Sequence, residues 1–487
     1  HLQIRPPSAW MGTCPRPTVR NLSPTLQTRS LGFRATLTLG WGQMISPSLF
    51  FISMPSEILL KILSYLDAVS LLCIGCVNKR FYHLANDNMI WLKIYSFFLP
   101  KRTNWKAKSV DEAAVSMNLT TLQDRESGYW KKEYIVKQIT TGKTGITQLL
   151  KPINAYTGLP LKTKEAIKAS GLGWVIVLKD RNGKEYAMEQ VEILFNDTSV
   201  TLFWYGTSWP CLTSLSALEL FGVTPLFFDR GKVHLKNGLL RRRSIIAQYN
   251  LSNLTKASKM IGFDTLVQLY SLNPGLLLGL WKKGNEIAFV MASLHYHHLL
   301  ERSTLGSATT QYVLPPHKPI LDDIDPKYGL HGYQLHIDMH SGGHAYMCGT
   351  FRNLFCRKEY IRNGYLRLSV VSYKNNSQHL PLVGKAGFFW KTDVFEGINS
   401  FMMDVTVLDE AGKPFWCFSA PVFMKASSEP DCFYDCMGPS YCLNYVDSDG
   451  KVCVKLVGME EPKEYYIVSM VLYVSTKKVN SWYGTNY

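Results

Sequence analysis

Histidines recur at His331, His336, His340 and His344, with Asp338 between two of them. Side chains alternate faces along a strand, so His336, Asp338 and His340 would share one face. Two imidazoles and a carboxylate can hold a non-haem metal with open positions, and His379 offers a further donor. This is the strongest enzyme chemistry in the chain. It keeps open, as an alternative, a metal-dependent enzyme in the C-terminal domain. The competing reading is a polar, solvated strand face leading into the loose Ser341-Gly342-Gly343. The second reading is the expectation adopted: no metal, no cofactor and no catalytic residue.

Other candidates are weaker. Cys73 and Cys76 form a C-x-x-C pair, but a zinc site needs a second pair at suitable spacing, and none follows. Within helices such cysteines are expected to be small core residues. Cys432, Cys436, Cys442 and Cys453 match no zinc module, so free thiols are expected. Thr141-Gly142-Lys143-Thr144 resembles the end of a phosphate loop, but Lys137 stands where that motif needs its first Gly. His295, His297 and His298 follow an apolar run and are expected to be ordinary core or surface histidines. Arg241-Arg242-Arg243 reads as a solvated patch, with no nucleic-acid partner expected.

The elements that would position these residues change character along the chain. From Pro55 to Leu66 the apolar residues follow helical spacing. Ile58, Leu59, Ile62, Leu63 and Leu66 sweep one side, and Leu60 and Tyr65 widen the apolar arc to about 220° at 100° per residue. A helix covering one small core needs little more than 100°, so this one has two things to bury against. The following Leu71, Val77, Phe81, Leu84 and Trp91 are also more than a module of about 40 residues can bury alone. A protein partner is implied.

At this point the segment resembles a known family. Met54-Pro55-Ser56-Glu57-Ile58-Leu59-Leu60-Lys61-Ile62-Leu63-Ser64-Tyr65-Leu66-Asp67 is similar to the opening of an F-box. Ser70-Leu71-Leu72, Val77-Asn78-Lys79-Arg80-Phe81, Leu84-Ala85-Asn86-Asp87 and Ile90-Trp91 follow in family order. Met54, Ser70, Asn78 and Phe81 depart from the commonest residues. Neither a WD-type nor a leucine-rich repeat accompanies the motif, which fits the residual "only" class of F-box proteins. The stretches Tyr129–Tyr134 and Leu330–His336 resemble that class as well.

The resemblance implies the substrate-recognition subunit of an SCF-type (Skp–cullin–F-box) ubiquitin ligase. The F-box would bind a Skp-type adaptor directly, and a cullin scaffold and RING subunit through it. The rest of the chain would recruit a protein substrate whose identity and pocket stay unknown. Adaptor contacts are expected from Pro55, Ile58, Leu59, Ile62, Leu63, Leu66, Leu71, Val77, Phe81, Leu84 and Trp91. A non-ligase F-box scaffold is the first alternative.

Beyond the F-box, Tyr129–Ile135 reads as one more helix. Trp174–Leu178 and Lys184–Met188 flank an Asn-Gly turn and read as a hairpin. Val191–Phe195 and Val200–Tyr205 repeat that pattern. Helical stretches are expected near Leu212–Leu220 and Thr265–Tyr270. Strands are expected at Tyr333–Met339, Tyr365–Tyr373, Phe401–Leu408, Phe415–Phe418, Leu443–Val446, Val452–Val457 and Tyr465–Val474. The expected fold class is α+β. Residues 1–53 form a leader, 54–99 a three-to-four-helix F-box and 100–170 a helical connector. A mixed α/β region spans 171–312, and 313–328 is a Pro/Asp-rich linker. An antiparallel β-rich, sandwich-like domain spans 329–487.

Composition agrees with packed, globular domains: 46% of the 487 residues are hydrophobic and 18% charged. The formal charge is +16, and residues 1–53 contribute five arginines and no acid. That leader composition also suits a transit peptide. The eleven cysteines are irregularly spaced, which argues against a secreted disulfide framework. No apolar run suggests a membrane span. A reduced cytoplasmic or nuclear location is expected.

Overall fold

The computed structural model describes residues 54–96, 126–206, 208–225, 241–252, 254, 259–261, 266–284, 286–319, 327–341, 344–384, 400–427, 438–459 and 464–487. The expected leader at 1–53, much of the connector, and Cys432 and Cys436 lie outside these residues. The chain divides into two compact units, residues 1–65 and residues 66–487.

In the first unit, α1 spans Ser56–Leu63. Pro55 caps it at φ −56°, and the Ser64 hydroxyl donates to the Lys61 carbonyl at 2.7 Å where the helix ends. The helix is therefore shorter than the expected 55–66, and Leu66 lies beyond it.

The second unit opens with α2 (Ala68–Gly75), α3 (Lys79–Ala85) and α4 (Asn88–Ser96). Each start is fixed by a side chain accepting an otherwise unpaired backbone N–H. Asp67 accepts from Ser70 at 2.8 Å, Asn78 from Phe81 at 2.8 Å, and Asp87 from Met89 at 2.9 Å. The 22-residue helix α5 (Tyr129–Leu150) follows. Its first turns pack on α4: Trp130 lies 5.2 Å from the Tyr95 ring, and Tyr134 5.5 Å from Trp91. At its far end Ile146, Leu149 and Leu150 pack on the core of the sheets beyond. At 1.5 Å per residue α5 spans about 33 Å, so it joins helices α2–α4 to the β region as one continuous rod.

The rest is antiparallel sheet. Sheet I is ordered β2-β1-β5-β6 and sheet II β3-β4-β10-β9-β8-β7. Their strands are β1 (Gly173–Asp180), β2 (Glu185–Glu189), β3 (Glu192–Phe195), β4 (Ser199–Trp204), β5 (Leu215–Pro225), β6 (Arg241–Asn250), β7 (Lys259–Ile261), β8 (Val267–Leu272), β9 (Leu276–Trp281) and β10 (Ile287–His295). Sheet III is β12-β11-β15-β16, and sheet IV is β13-β20-β19-β18-β17 with β14 on β20. These use β11 (Tyr333–His340), β12 (Ala345–Leu354), β13 (Tyr365–Val371), β14 (Leu380–Leu382), β15 (Ser400–Leu408), β16 (Pro414–Phe423), β17 (Lys425–Ala426), β18 (Ser440–Val446), β19 (Gly450–Met459) and β20 (Glu464–Ser475).

Sheets I and II enclose one core around Trp174, Ile176, Leu220, Leu202, Leu278 and Val290, with Ile167 from α6 (Thr163–Ala169) and Leu299 from α7 (Leu299–Thr304). Sheets III and IV enclose another around Tyr333, Ile337, Phe401, Val405, Leu472 and Val454, capped by Val479 and Tyr483 of α8 (Thr476–Tyr483). The outer face of sheet II then packs on sheet III through Phe203, Leu277, Phe289 and Met291 against Met402. Within sheet II, Gly279 lies opposite Phe289, where an added Cβ would come within 2.4 Å of the ring. Only glycine leaves that ring room to lie across β9.

The two expected hairpins are present, the first turning at Gly183 with φ +83°. All seven expected C-terminal strands are present as well. Two expectations fail. Neither Leu212–Leu220 nor the described part of Thr265–Tyr270 forms an α-helix: Leu212–Ser214 is a single 3₁₀ turn, and β5 and β8 occupy most of the rest. The described residues of 171–312 accordingly form two antiparallel sheets with short helical turns, not a mixed α/β region. Neighbouring elements bury both faces of β5, so its apolar residues lose the alternation that would mark a strand.

Candidate protein-docking surface and a buried polar seam

Helix α1 divides its apolar residues into two stripes. Leu59 and Leu63 are 3% and 2% exposed, whereas Ile58 and Ile62 are 50% and 45% exposed. Ile58 and Ile62, four residues apart, share a face. Tyr65 extends that stripe into the closing turn and is the most exposed of the three. The Lys61 ammonium lies 5.9 Å from the Tyr65 ring. Half-exposed isoleucines on consecutive turns forfeit about 1 kcal/mol of burial each, which a docking partner would recover.

In the second unit Val77, Tyr82 and Met89 are exposed, while Phe81 and Leu84 are half-buried. Leu71 and Trp91 have no exposed surface, and the Trp91 indole donates to the Ala85 carbonyl at 2.6 Å. The eleven expected adaptor contacts therefore separate. Leu59, Leu63, Leu71 and Trp91 are internal packing and offer no surface to a partner. Pro55, Ile58, Ile62 and Val77 are exposed, and Leu66, Phe81 and Leu84 are partly so. Tyr65, Tyr82 and Met89 are exposed apolar residues outside the expected set. Exposure on a small helix whose leucines already fill its buried face is the signal that marks Tyr65.

The histidine face of β11 departs most from expectation. His336, Asp338 and His340 do share a face, but it is buried against sheet II, not solvated. His336 is turned to β12: its Nδ1 is 2.7 Å from the Thr350 hydroxyl and its Nε2 3.8 Å from the Cys348 sulfur. Its place beside Asp338 and His340 is taken by Asp404 of β15. Asp404 Oδ2 lies 2.8 Å from His340 Nε2, and Thr198 from the sheet II side donates to it at 3.3 Å. Ser419 donates to Asp404 Oδ1 and sits 2.5 Å from Ser293 of β10. His295 Nε2 meets the Thr406 hydroxyl at 2.8 Å.

Charge states follow from this packing. Burial pushes Asp404 up, but His340 and the hydroxyl donors together outweigh it and hold the carboxyl below its usual range. Burial disfavours protonated His340, and Asp404 reverses that, so the imidazole is raised. Asp338 is pushed up to about 6, chiefly by burial. Burial lowers His295 to about 4 and also lowers His336.

The remaining candidates resolve simply. Residues 141–144 lie inside α5, which excludes the strand-to-helix turn of a phosphate loop. Cys73 and Cys76 are exposed, contrary to the expected core role: Cys73 lies on a face of α2 other than the one Leu71 buries, and Cys76 caps the helix end. Arg241 pairs with Glu189 and Arg242 donates to the Gly306 carbonyl at 3.0 Å. A cavity of about 220 Å³ is lined by Tyr328, Asp409, Glu410 and Trp482. Its Trp482 is committed to packing: the indole stacks on His317 at 3.6 Å and donates to Asp409 at 3.0 Å. No helix among the described residues is long and apolar enough to cross a membrane.

Residues 51–96 match the family model described as F-box-like. The chain is 60% identical over 437 residues to F-box only protein 15 of Macaca fascicularis, covering 89% of this chain and 100% of that protein. Against the human protein of the same name identity is 59% over 441 residues, covering 90% and 86%. Against the Mus musculus protein it is 48% over 437 residues, covering 88% and 100%.

Proposed function

The chain belongs to the F-box only protein 15 family, and from that premise we propose that it is the substrate-recognition subunit of an SCF-type ubiquitin ligase. The F-box binds a Skp-type adaptor, which connects it to a cullin and a RING subunit. Residues 100–487 capture a protein substrate and hold it beside the ubiquitin-charged enzyme, raising its effective concentration there. The receptor contributes no catalytic group, and it works in the cytoplasm or nucleus.

The observation that carries this reading is the exposed Ile58-Ile62-Tyr65 stripe within the F-box signature. The same helix has already filled its buried face with Leu59 and Leu63. The test is adaptor pull-down by the full chain carrying Ile58→Ala and Ile62→Ala. Binding should fall at least thirtyfold, about 2 kcal/mol or more, with the melting temperature held. Undiminished binding would refute the adaptor assignment. Adaptor co-purifying without cullin would favour the non-ligase scaffold.

A further inference from the structure

Asp338 and Asp404 are directly paired across β11 and β15. Like charges facing each other on one sheet are destabilising, and here both carboxylates are buried. His340 supplies at most one positive charge, and that imidazole is engaged with Asp404 at 2.8 Å. Asp404 is satisfied by His340, Thr198 and Ser419. Asp338 is not: its Oδ1 is buried and meets no hydrogen-bond donor among the described residues. A buried carboxylate oxygen without a donor is costly unless a cation or a proton meets it. One donor atom from each of Asp338, His340 and Asp404 lies within 4.8 Å of the others. An ion bonded at about 2.0–2.2 Å to three donors in a tetrahedral array holds them roughly 3.3–3.6 Å apart, so side-chain shifts of about 1 Å close the set.

We propose that Asp338, His340 and Asp404 form a structural site for one divalent first-row cation of the zinc or manganese class. Two carboxylates and one imidazole suit such an ion, being too rich in nitrogen for a calcium cage and lacking the thiolates of a soft-metal site. The ion's binding free energy adds to that of folding, because the three side chains come together only in the folded chain. Thr198 and Ser419, bonded to Asp404, form its outer shell. Through Thr198 the site ties sheet II to sheet III.

The test uses the full chain purified without chelator, dialysed against zinc or manganese chloride and then against metal-free buffer. Elemental analysis should find about one ion per chain. Chelation should lower the melting temperature by roughly 5 °C or more, and re-addition of zinc should restore it. Asp338→Asn keeps the shape of the side chain and removes its charge. It should cut bound metal at least tenfold while leaving adaptor pull-down unchanged. Metal below one-tenth per chain after dialysis, with a melting temperature indifferent to chelator, overturns the proposal. So does an Asp338→Asn chain as stable as the parent with metal content unaltered. The first result would identify Asp338 as a carboxyl group holding a proton. Should Asp338→Asn fail to fold, the stoichiometry and chelator response of the parent chain decide alone.

Discussion

The F-box helix α1 and the seam between sheets II and III invert the usual distribution of side chains in opposite ways. Helix α1 leaves Ile58 and Ile62 half in water. The seam takes Asp338, His340, Asp404 and His295 out of it. On the proposed function, the exposed apolar stripe is the surface a partner covers. The hydrogen bonds around Asp404 hold two layers in one register, since they form in a single arrangement. The two regions should therefore fail differently when broken, the first in binding and the second in folding.

The largest effect is expected at Asp404. Asp404→Ala removes the acceptor for His340, Thr198 and Ser419 together. Stranding a buried charge costs about 3–5 kcal/mol, read as a shift of the denaturation midpoint in urea. A loss under about 1 kcal/mol would show that the seam is not what holds the sheets.

Helix α1 gives the sharper contrast. Ile62→Ala should cost about 2 kcal/mol of adaptor affinity and little stability. Leu63→Ala, one position on, should cost about 2–4 kcal/mol of stability. Melting and pull-down measured on both variants check this. If Ile62→Ala unfolds the chain and Leu63→Ala does not, the division of α1 into two stripes is wrong.

These two regions are also unequally legible. The F-box is visible in sequence because a helix places contacts at three and four residues, so its faces can be drawn from a dozen consecutive positions. That pattern gives the width of the apolar arc but not which portion of it the chain fills. Helical spacing alone therefore groups Leu59, Leu63, Leu71 and Trp91 with the exposed residues. On β11 the sequence reveals the shared face and misses its environment. Period-two alternation tells which side chains share a face and nothing about what covers it. Asp404 lies 64 residues from His340, and no local pattern joins them. Helix α8 does carry a readable signal, Ser475 capping Lys478 at one end and Gly484 at φ +71° at the other. Strand β5 carries a misleading one, its Leu215, Leu218 and Leu220 mimicking a helical face while lying in a doubly covered strand.

A pH effect of intermediate size separates the regions again. His295 is held neutral, lowered to about 4, with burial the main cause and Arg302 and His336 adding to it against Asp404. The folded chain then binds fewer protons than the unfolded one, whose histidine titrates near 6.5. The stabilisation is complete above that pH and is lost as pH falls toward 4. Between pH 7 and pH 5 about 2 kcal/mol should disappear from this group. His295→Gln, which keeps a polar group beside Thr406, should flatten that stretch of the stability profile. An unchanged profile would remove His295 from the seam's energetics.

The smallest expected effect tests how the seam shares its load. Thr198 is buried and its hydroxyl reaches Asp404 Oδ2 at 3.3 Å, longer than the 2.8 Å from His340 to the same oxygen. Thr198→Val keeps the volume and deletes only the hydroxyl. Asp404 would still accept from His340 and Ser419, so no oxygen of the carboxylate is stranded. A single hydrogen bond lost in that setting costs about 0.5–1.5 kcal/mol, well below the loss expected at Asp404. The Thr198→Val and Ser419→Ala pair makes the comparison stricter, because it strips Asp404 Oδ1 as well as thinning Oδ2. Independent sites would add; a connected network loses more in the double variant than in the two singles summed. Additive losses in urea denaturation would reduce the seam to a set of separate contacts. A coupling of about 1 kcal/mol or more would mark it as one unit that locks sheet II onto sheet III.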